Sequence, residues 1–230
     1  MNRRGLPFVL LNAAISADGK IAPATRRFEA FGGARDLEHL LELRATADAV
    51  MAGARTVDLN RVNLGPGPLK YRRRRLRHGL GEYNLRVIVS GSGTIDPDAE
   101  IFRRRFSPII ILTSGRASER KLRLLRTLAD EVKVCGATAI DFRAALRWLR
   151  DKWKVKRLLC EGGGELNAAL FKAGLVDEVH LTLCPLIFGG RSAPTLADGE
   201  GVQRISQATR LCLASMKREA NRLFLIYRRV

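Results

Sequence analysis

"LLCEGGGELNAALFKAGLVDEVHL", residues 158–181, is the stretch whose reading decides the fold. An apolar run stops at Glu161, crosses Gly162–Gly164, and restarts as an amphipathic helix over 164–174 that closes on Gly174. Three bare residues let another chain segment or a ligand lie against the backbone. In an open α/β sheet, ligands gather at the carboxyl ends of the strands. A glycine turn leading into a helix offers free N–H groups and the positive end of the helix dipole there, which suits a phosphate. The same glycines would also serve a close helix–strand crossing with no ligand, and at this point both readings stand.

Working outward, "FVLLN" (8–12), "AVMAG" (49–53), "RVIVSG" (86–91) and "PIIILTS" (108–114) read as buried strands, as in a sheet covered on both faces. Residues 34/35–46 read as a helix with Leu37, Leu40, Leu41 and Ala45 on one face. Ser118–Ala129 and Asp141–Trp153 read as two more helices, the second capped by Asp141, with "EVKVC" (131–135) a strand between them. The tail turns near Glu219–Asn221 as an antiparallel hairpin. The expected fold is a three-layer α/β/α domain, mostly parallel with a C-terminal antiparallel hairpin. No linker divides the chain, so a single domain over 1–230 is expected, with a basic loop excursion at about 60–84.

With 230 residues the chain is long enough to bury a full core, and no run approaches the ~20 apolar residues of a membrane span. The basic N-terminus passes directly into Asn12, Asp18 and Lys20, which reads as a first strand and not a signal peptide, so a cytoplasmic protein is expected. Cys135, Cys160, Cys184 and Cys212 show no C-x-x-C pairing and read as buried free thiols; with three scattered histidines, no metal site is expected. The net charge is +18, densest in "KYRRRRLR" at 70–77. A charge run is usually a solvated loop. Without interleaved aromatics or a recognition-helix pattern, nucleic acid is not the expected partner.

Two further strand ends carry polar and small residues. "NAAISADGKIA" (12–22) supplies Asn12, Ser16, Asp18 and Lys20, and "GARTV" (53–57) supplies Thr56. Taken singly, each has an ordinary structural explanation: a turn, a solvated lysine, a helix-terminal threonine. Together with Glu161 they describe the convergence a nucleotide site requires.

At these residues the chain resembles the reductase domain of the riboflavin pathway. Those dihydrofolate-reductase-like enzymes reduce a ribosylamino-pyrimidine phosphate to its ribitylamino form with NADPH. The matching pieces are "LLNAAISADGKIA", "LRATADAVMAGARTV" (43–57), "LRVIVSGSG" (85–93), "LLCEGGGELNAALFKAGLVDEVHLTLCPLIFGG" (158–190) and "APTLADGEG" (193–201), in family order. The resemblance implies a homodimer, NADPH as cofactor and a phosphorylated substrate. No deaminase domain precedes the match, so the free-standing form is expected. By position, Lys20 and Glu161 fall beside the substrate ribose as the catalytic pair. Ser16, Asp18, Arg44 and Glu161 fall on the substrate side, with Arg44 facing the phosphate. Ala14, Thr56, Asn60, Ser90, Gly91 and Gly162, Gly163, Gly164, Glu165 and Leu166, on through Asn167, Ala168 and Ala169, fall on the cofactor side. Arg55 is placed to meet a 2′-phosphate.

The chain departs from the family where a paired Asp-Asp-Pro usually follows "GxxTV": Asn60, Arg61 and Val62 stand there. It also carries "FEAFGG" (28–33) ahead of the first helix, and the long 60–84 excursion. Two alternatives therefore stand beside the flavin-pathway reading. One is a paralogous NADPH-dependent reductase of another heterocycle, such as a folate-like pterin. The other is a non-catalytic basic protein that binds nucleic acid through 70–77.

Overall fold

A computed structural model describes residues 5–27, 29–59 and 62–230. The chain separates into two compact units, one holding the residues up to Phe8 with Leu41–Leu159, the other Val9–Leu40 with Cys160–Val230.

The first unit is built on parallel strands β2 (Ala49–Gly53), β3 (Leu85–Val89), β4 (Ile109–Thr113) and β5 (Glu131–Val134), with β6 (Arg157–Cys160) beside β2 in the order β5-β4-β3-β2-β6. The central β2, β3 and β4 are apolar apart from Arg86 and Thr113 and are buried on both faces, whereas β5, EVKV, is half-exposed at the edge. Val50, Met51, Val87, Ile88 and Ile109–Leu112 have no exposure, and each such side chain contributes about 1.5–3 kcal/mol over leaving it in water. Right-handed crossovers place the helices of the β2-to-β5 march on one face and the helix that returns to β6 on the other. Helix α5 (Glu119–Leu128) starts where Ser118 accepts the Lys121 N–H, and α6 (Phe142–Trp153) where Asp141 accepts the Ala144 N–H at 3.0 Å. The Asp141 cap is as the sequence indicates. A four-residue helix, α4 (Glu100–Arg103), was not anticipated.

The basic excursion is corrected. Within 60–84 the chain forms α2's successor, helix α3 (Leu69–Arg77), after α2 (Ala54–Leu59). Only Tyr71 and Arg75 of α3 face inward, at i and i+4. Arg75 is 1 % exposed and donates to the carbonyls of Arg44, Ala47 and Gly81 at 2.5–2.9 Å. Arg72 reaches Glu82 and the Tyr83 hydroxyl. Half of the run 72–75 is thus committed internally instead of being solvated.

The second unit pairs β1 (Phe8–Ser16) parallel with β7 (Glu178–Cys184), then β7 antiparallel with β9 (Arg222–Arg229), then β8 (Leu211–Glu219) on β9. This is the expected hairpin, turning at Ala220–Asn221 with Ala220 at φ 51°. The mostly parallel arrangement with an antiparallel end stands as the sequence indicates.

Helix α1 (Gly33–Arg44) corrects a second expectation: Leu37 is 55 % exposed. Its last turn buries Leu43 and Arg44, while Asp36 and His39 turn toward the polar face of β7, where Glu178, His180 and Thr182 are all buried. Asp36 bonds Thr182 and His39 Nε2 stands 2.9 Å from His180 Nδ1. His180 Nε2 in turn meets Glu178 at 2.8 Å, and Arg228 donates to the other carboxylate oxygen at 2.9 Å. Burial alone would raise the Glu178 carboxyl, but His180 and Arg228 outweigh it and hold it below the usual range. Cys212 also departs from expectation: it is exposed on β8, whereas Cys135, Cys160 and Cys184 are buried.

Candidate active site

In the second unit, β1 delivers its polar residues into one tight turn. The Ser16 N–H donates to the Lys20 carbonyl at 2.9 Å, the Lys20 N–H donates to the Ser16 hydroxyl at 2.9 Å, and that hydroxyl donates to Asp18 at 2.5 Å. Asp18 then accepts the N–H groups of Phe188 and Gly189 at 3.2 and 2.8 Å. The Ser16 hydroxyl, opposed by desolvation and aided by the two amides, lowers the Asp18 pKa to about 2. Asp18 and Ser16 therefore act first as a clamp between the turn and the loop after β7. Lys20 is half-buried. It donates to the Ala193 carbonyl at 3.4 Å, and its backbone bridges Thr195. Ala14 lies two residues before Ser16 on β1, in register with Thr182.

The glycine turn follows β6. Gly162 and Gly163 have φ of 72° and 101°, backbone open essentially to glycine alone, and Gly163 caps helix α7 (Gly164–Lys172). A Cβ on Gly162 would meet the Asn167 amide at 2.7 Å, and one on Gly164 would meet the Thr195 carbonyl at 2.6 Å. The close-crossing reading thus accounts for Gly162 and Gly164, the packing partner being the chain itself. Gly163 is dictated by its backbone angles. The first-turn N–H groups at 164–166 remain those of a helix N-terminus, with no intrahelical acceptor. Glu161 is half-buried at the head of the turn, Glu165 is exposed and Leu166 is buried.

In the first unit, Gly53 and Val89 are in register on neighbouring parallel strands, so the residues after them share one end of the sheet. Thr56 sits in α2 and Ser90–Gly91 directly follow β3. Ser90 donates to the Thr94 carbonyl at 2.8 Å, and the Gly91 carbonyl accepts the Ser114 hydroxyl at 2.6 Å. Nothing lies within 4 Å of where a Gly91 Cβ would stand. Arg44 ends α1, is 9 % exposed, and donates to the Gly65 carbonyl at 2.7 Å. Asn60, assigned to the cofactor side, lies outside the described residues.

The sequence reading missed Thr195 and Asp198, and placed Asn167 on the cofactor side within the stretch from Gly163 through Ala169. Thr195 donates from N and Oγ1 to Asp198 at 2.9 and 2.7 Å, Asp198 N–H donates to the Gly164 carbonyl at 3.0 Å, and Asn167 donates to the Leu196 carbonyl at 2.8 Å. The only signal was that "APTLADGEG" belongs to the matching pieces.

The described residues fit a dinucleotide cofactor. Each unit by itself carries what such a group needs: in the first, bare backbone at Gly91 and hydroxyls after the strand ends at Thr56 and Ser90; in the second, open backbone at Gly163 and the N-terminus of α7. Among the described residues, no three His, Cys, Asp or Glu side chains form a metal-holding group, and no helix is long and apolar enough to cross a membrane.

The model of the RibD C-terminal domain matches residues 7–225. The chain belongs to the RibD C-terminal domain family. A relative in Methanothermobacter thermautotrophicus is 37% identical over 212 residues, covering 89% of this chain and 90% of its own, and is named 2,5-diamino-6-ribosylamino-4(3H)-pyrimidinone 5′-phosphate reductase. A protein of the same name in Archaeoglobus fulgidus is 34% identical over 194 residues, covering 84% of this chain and 87% of its own. Among solved structures, a pyrimidine reductase-like protein of Corynebacterium diphtheriae superposes with a TM-score of 0.78 at 24% identity, over 97% of this chain and 92% of that one. As a member of the RibD C-terminal domain family, the chain shares that fold.

Proposed function

We propose that this RibD-family chain is a cytoplasmic, NADPH-dependent oxidoreductase. Its reaction is reduction of the ribosylamino group of a diamino- or amino-pyrimidine 5′-phosphate to the ribitylamino form, in riboflavin biosynthesis. The observation that carries the reading is Lys20 and Glu161 standing at strand-end positions within the family match, each beside the backbone cradle described above. The named relatives support the substrate. Residues 1–230 are read as a single reductase domain.

The chemistry assigns work to these side chains. A glycosylamine must open before C1′ can be reduced: the ring oxygen takes a proton, its bond to C1′ breaks, and nitrogen and C1′ become an iminium. Lys20 and Glu161 move that proton and stabilise the cation as it forms. NADPH, when bound, would supply the hydride that reduces C1′ to the secondary amine. The family resemblance assigns its contacts to Thr56, Ser90 and Gly91 in the first unit and to the start of α7 in the second. The family resemblance assigns the substrate phosphate to Arg44. No metal is assigned a role.

We read the protein as a homodimer, with β8 as the covered element. Every residue of β8 from Cys212 to Arg218 is exposed, including Leu213 at 53 % and Met216 at 63 %. A nine-residue exposed edge strand is a pairing liability that a second copy removes. Sedimentation at micromolar concentration should give twice the chain mass; a monomer overturns this part.

The deciding experiment is NADPH oxidation by the purified chain, with the ribosylamino-pyrimidine phosphate supplied in deaminated and non-deaminated forms and cofactor binding followed in parallel. Turnover of either form establishes the reading. NADPH binding without turnover of either overturns the substrate and favours the paralogue reductase. Salt-sensitive binding of nucleic acid without NADPH binding would favour the non-catalytic alternative.

A further inference from the structure

Residues 193–198, "APTLAD", run through the second unit as a strap with two working edges. Along one edge Lys20 bridges Thr195, the Ile21 N–H donates to the Pro194 carbonyl at 2.9 Å, and Lys20 Nζ reaches the Ala193 carbonyl. Along the other edge the Asp198 N–H donates to the Gly164 carbonyl and buried Asn167 donates to the Leu196 carbonyl. The strap is closed on itself by Asp198, whose Oδ1 accepts both the N–H and the hydroxyl of Thr195. These bonds set the spacing between Lys20 and the glycine turn that Glu161 heads. Gly164 is glycine because the strap lies where its side chain would be.

We propose that Asp198 is a positioning residue of the reaction: by closing the strap through Thr195, it holds Lys20 at a fixed distance from Glu161. The proposal rests on the reading of Lys20 and Glu161 as the reacting pair. Asp198 acts through the strap alone and requires no contact with substrate. The functional property is its acceptor oxygen, since Thr195 contributes two donors to that one atom. A displacement of about 1 Å between reacting groups costs on the order of 100-fold in rate, so a loosened strap is felt in kcat before it is felt in binding.

The test compares Asp198→Ala, Asp198→Asn and Thr195→Val in the full chain. Asp198→Ala should lower kcat about 10- to 100-fold while NADPH affinity stays within about threefold and unfolding remains cooperative. Asp198→Asn keeps the acceptor oxygen and should recover most of the loss. Thr195→Val removes one of the two donors and should fall between them. Amide exchange supplies a readout independent of activity: the Ile21 N–H should exchange faster in Asp198→Ala and stay protected in Asp198→Asn. Unchanged kcat with unchanged Ile21 protection overturns the proposal, and so does an equal loss in the Ala and Asn variants. If Asp198→Ala fails to fold, Thr195→Val alone decides: wild-type kcat and wild-type Ile21 exchange in that variant overturn the clamp. A wild-type chain that does not turn over the pyrimidine would sink the functional reading instead, and the exchange measurement would still judge the strap.

Discussion

The two units differ most in charge, and the guanidinium-to-carbonyl fastenings with several carbonyls on one buried arginine are in the first, although both units also hold backbone amides on carboxylates. The first carries 28 lysines and arginines against 12 acids, a net +16; the second carries 13 against 11, a net +2. In the first, guanidinium groups staple carbonyls: Arg44 takes Gly65; Arg75 takes Arg44, Ala47 and Gly81; Arg86 takes Ile101, Arg104 and Ser107. Arg86 is fully buried on β3, stacked over Phe106 at 4.2 Å, and burial draws its pKa down to about 10, still well above neutral. In the second, carboxylates staple amides: Asp18 takes Phe188 and Gly189, Asp177 takes Val9, Asp198 takes Thr195. An arginine staple does not titrate in any range the fold experiences, whereas a carboxylate staple does. The lesson is that part of the basic excess is structural, and that the loops held by Arg75 and Arg86 are insensitive to acid while those held by Asp18 in the second unit, and by Asp48 and Asp130 in the first, are not.

The largest effect is expected at Glu161, the carboxylate at the head of the second unit's glycine turn. Glu161→Gln should cut reduction 10²- to 10⁴-fold while NADPH affinity is nearly unchanged, read by steady-state kinetics beside a binding titration. Large loss of cofactor binding would remove Glu161 from the substrate side. Next comes a staple of the first unit. Arg75→Met leaves three carbonyls without their donor and should cost about 3 kcal/mol or more, read as a lower urea midpoint at unchanged slope.

Acid should sharpen the contrast further. The Asp18 pKa is about 2 folded against 3.8 for the free group, so its clamp stabilises fully above about pH 4 and is lost as pH falls toward 2. Amide exchange at Phe188 and Gly189 should rise across that window while Arg75- and Arg86-held loops stay protected. Asp18→Asn should make the Phe188 and Gly189 rates independent of pH there. The smallest effect is expected at exposed cations outside any staple. Arg73→Glu with Arg77→Glu should move stability by no more than about 0.5 kcal/mol, and a larger loss would show that α3 uses its outer face as well.

The elements that were legible were those whose inward face is apolar. β2, β3 and β4 announce themselves through short apolar runs, Ala49–Ala52, Val87–Val89 and Ile109–Leu112, and α6 through its cap and its buried Ala145, Leu146 and Leu149. Helix α3 was illegible because one of its two inward residues is an arginine, which hydrophobic periodicity counts as surface. Helix α1 was legible as a helix but not in its orientation, since it turns Asp36 and His39 toward a polar strand face. At the site, Glu161, Lys20 and the glycines could be singled out because their residue types carry chemistry or special backbone angles. The strap could not, because its contacts run through the carbonyls of Ala193, Pro194 and Leu196, which any residue supplies. Asp18 was singled out for the ligand, and the structure gives its carboxylate two backbone amides and a hydroxyl to hold.

The placement of the four thiols has a practical consequence. Cys135, Cys160 and Cys184 are buried with raised pKa values, Cys160 up to about 12, so none presents thiolate at neutral pH. Cys212 lies exposed on β8. A maleimide dye should therefore attach at one position without any engineering in the dissociated chain, and more slowly in the proposed dimer, where β8 is covered. The labelling rate against protein concentration then makes that natural thiol a gauge of subunit contact.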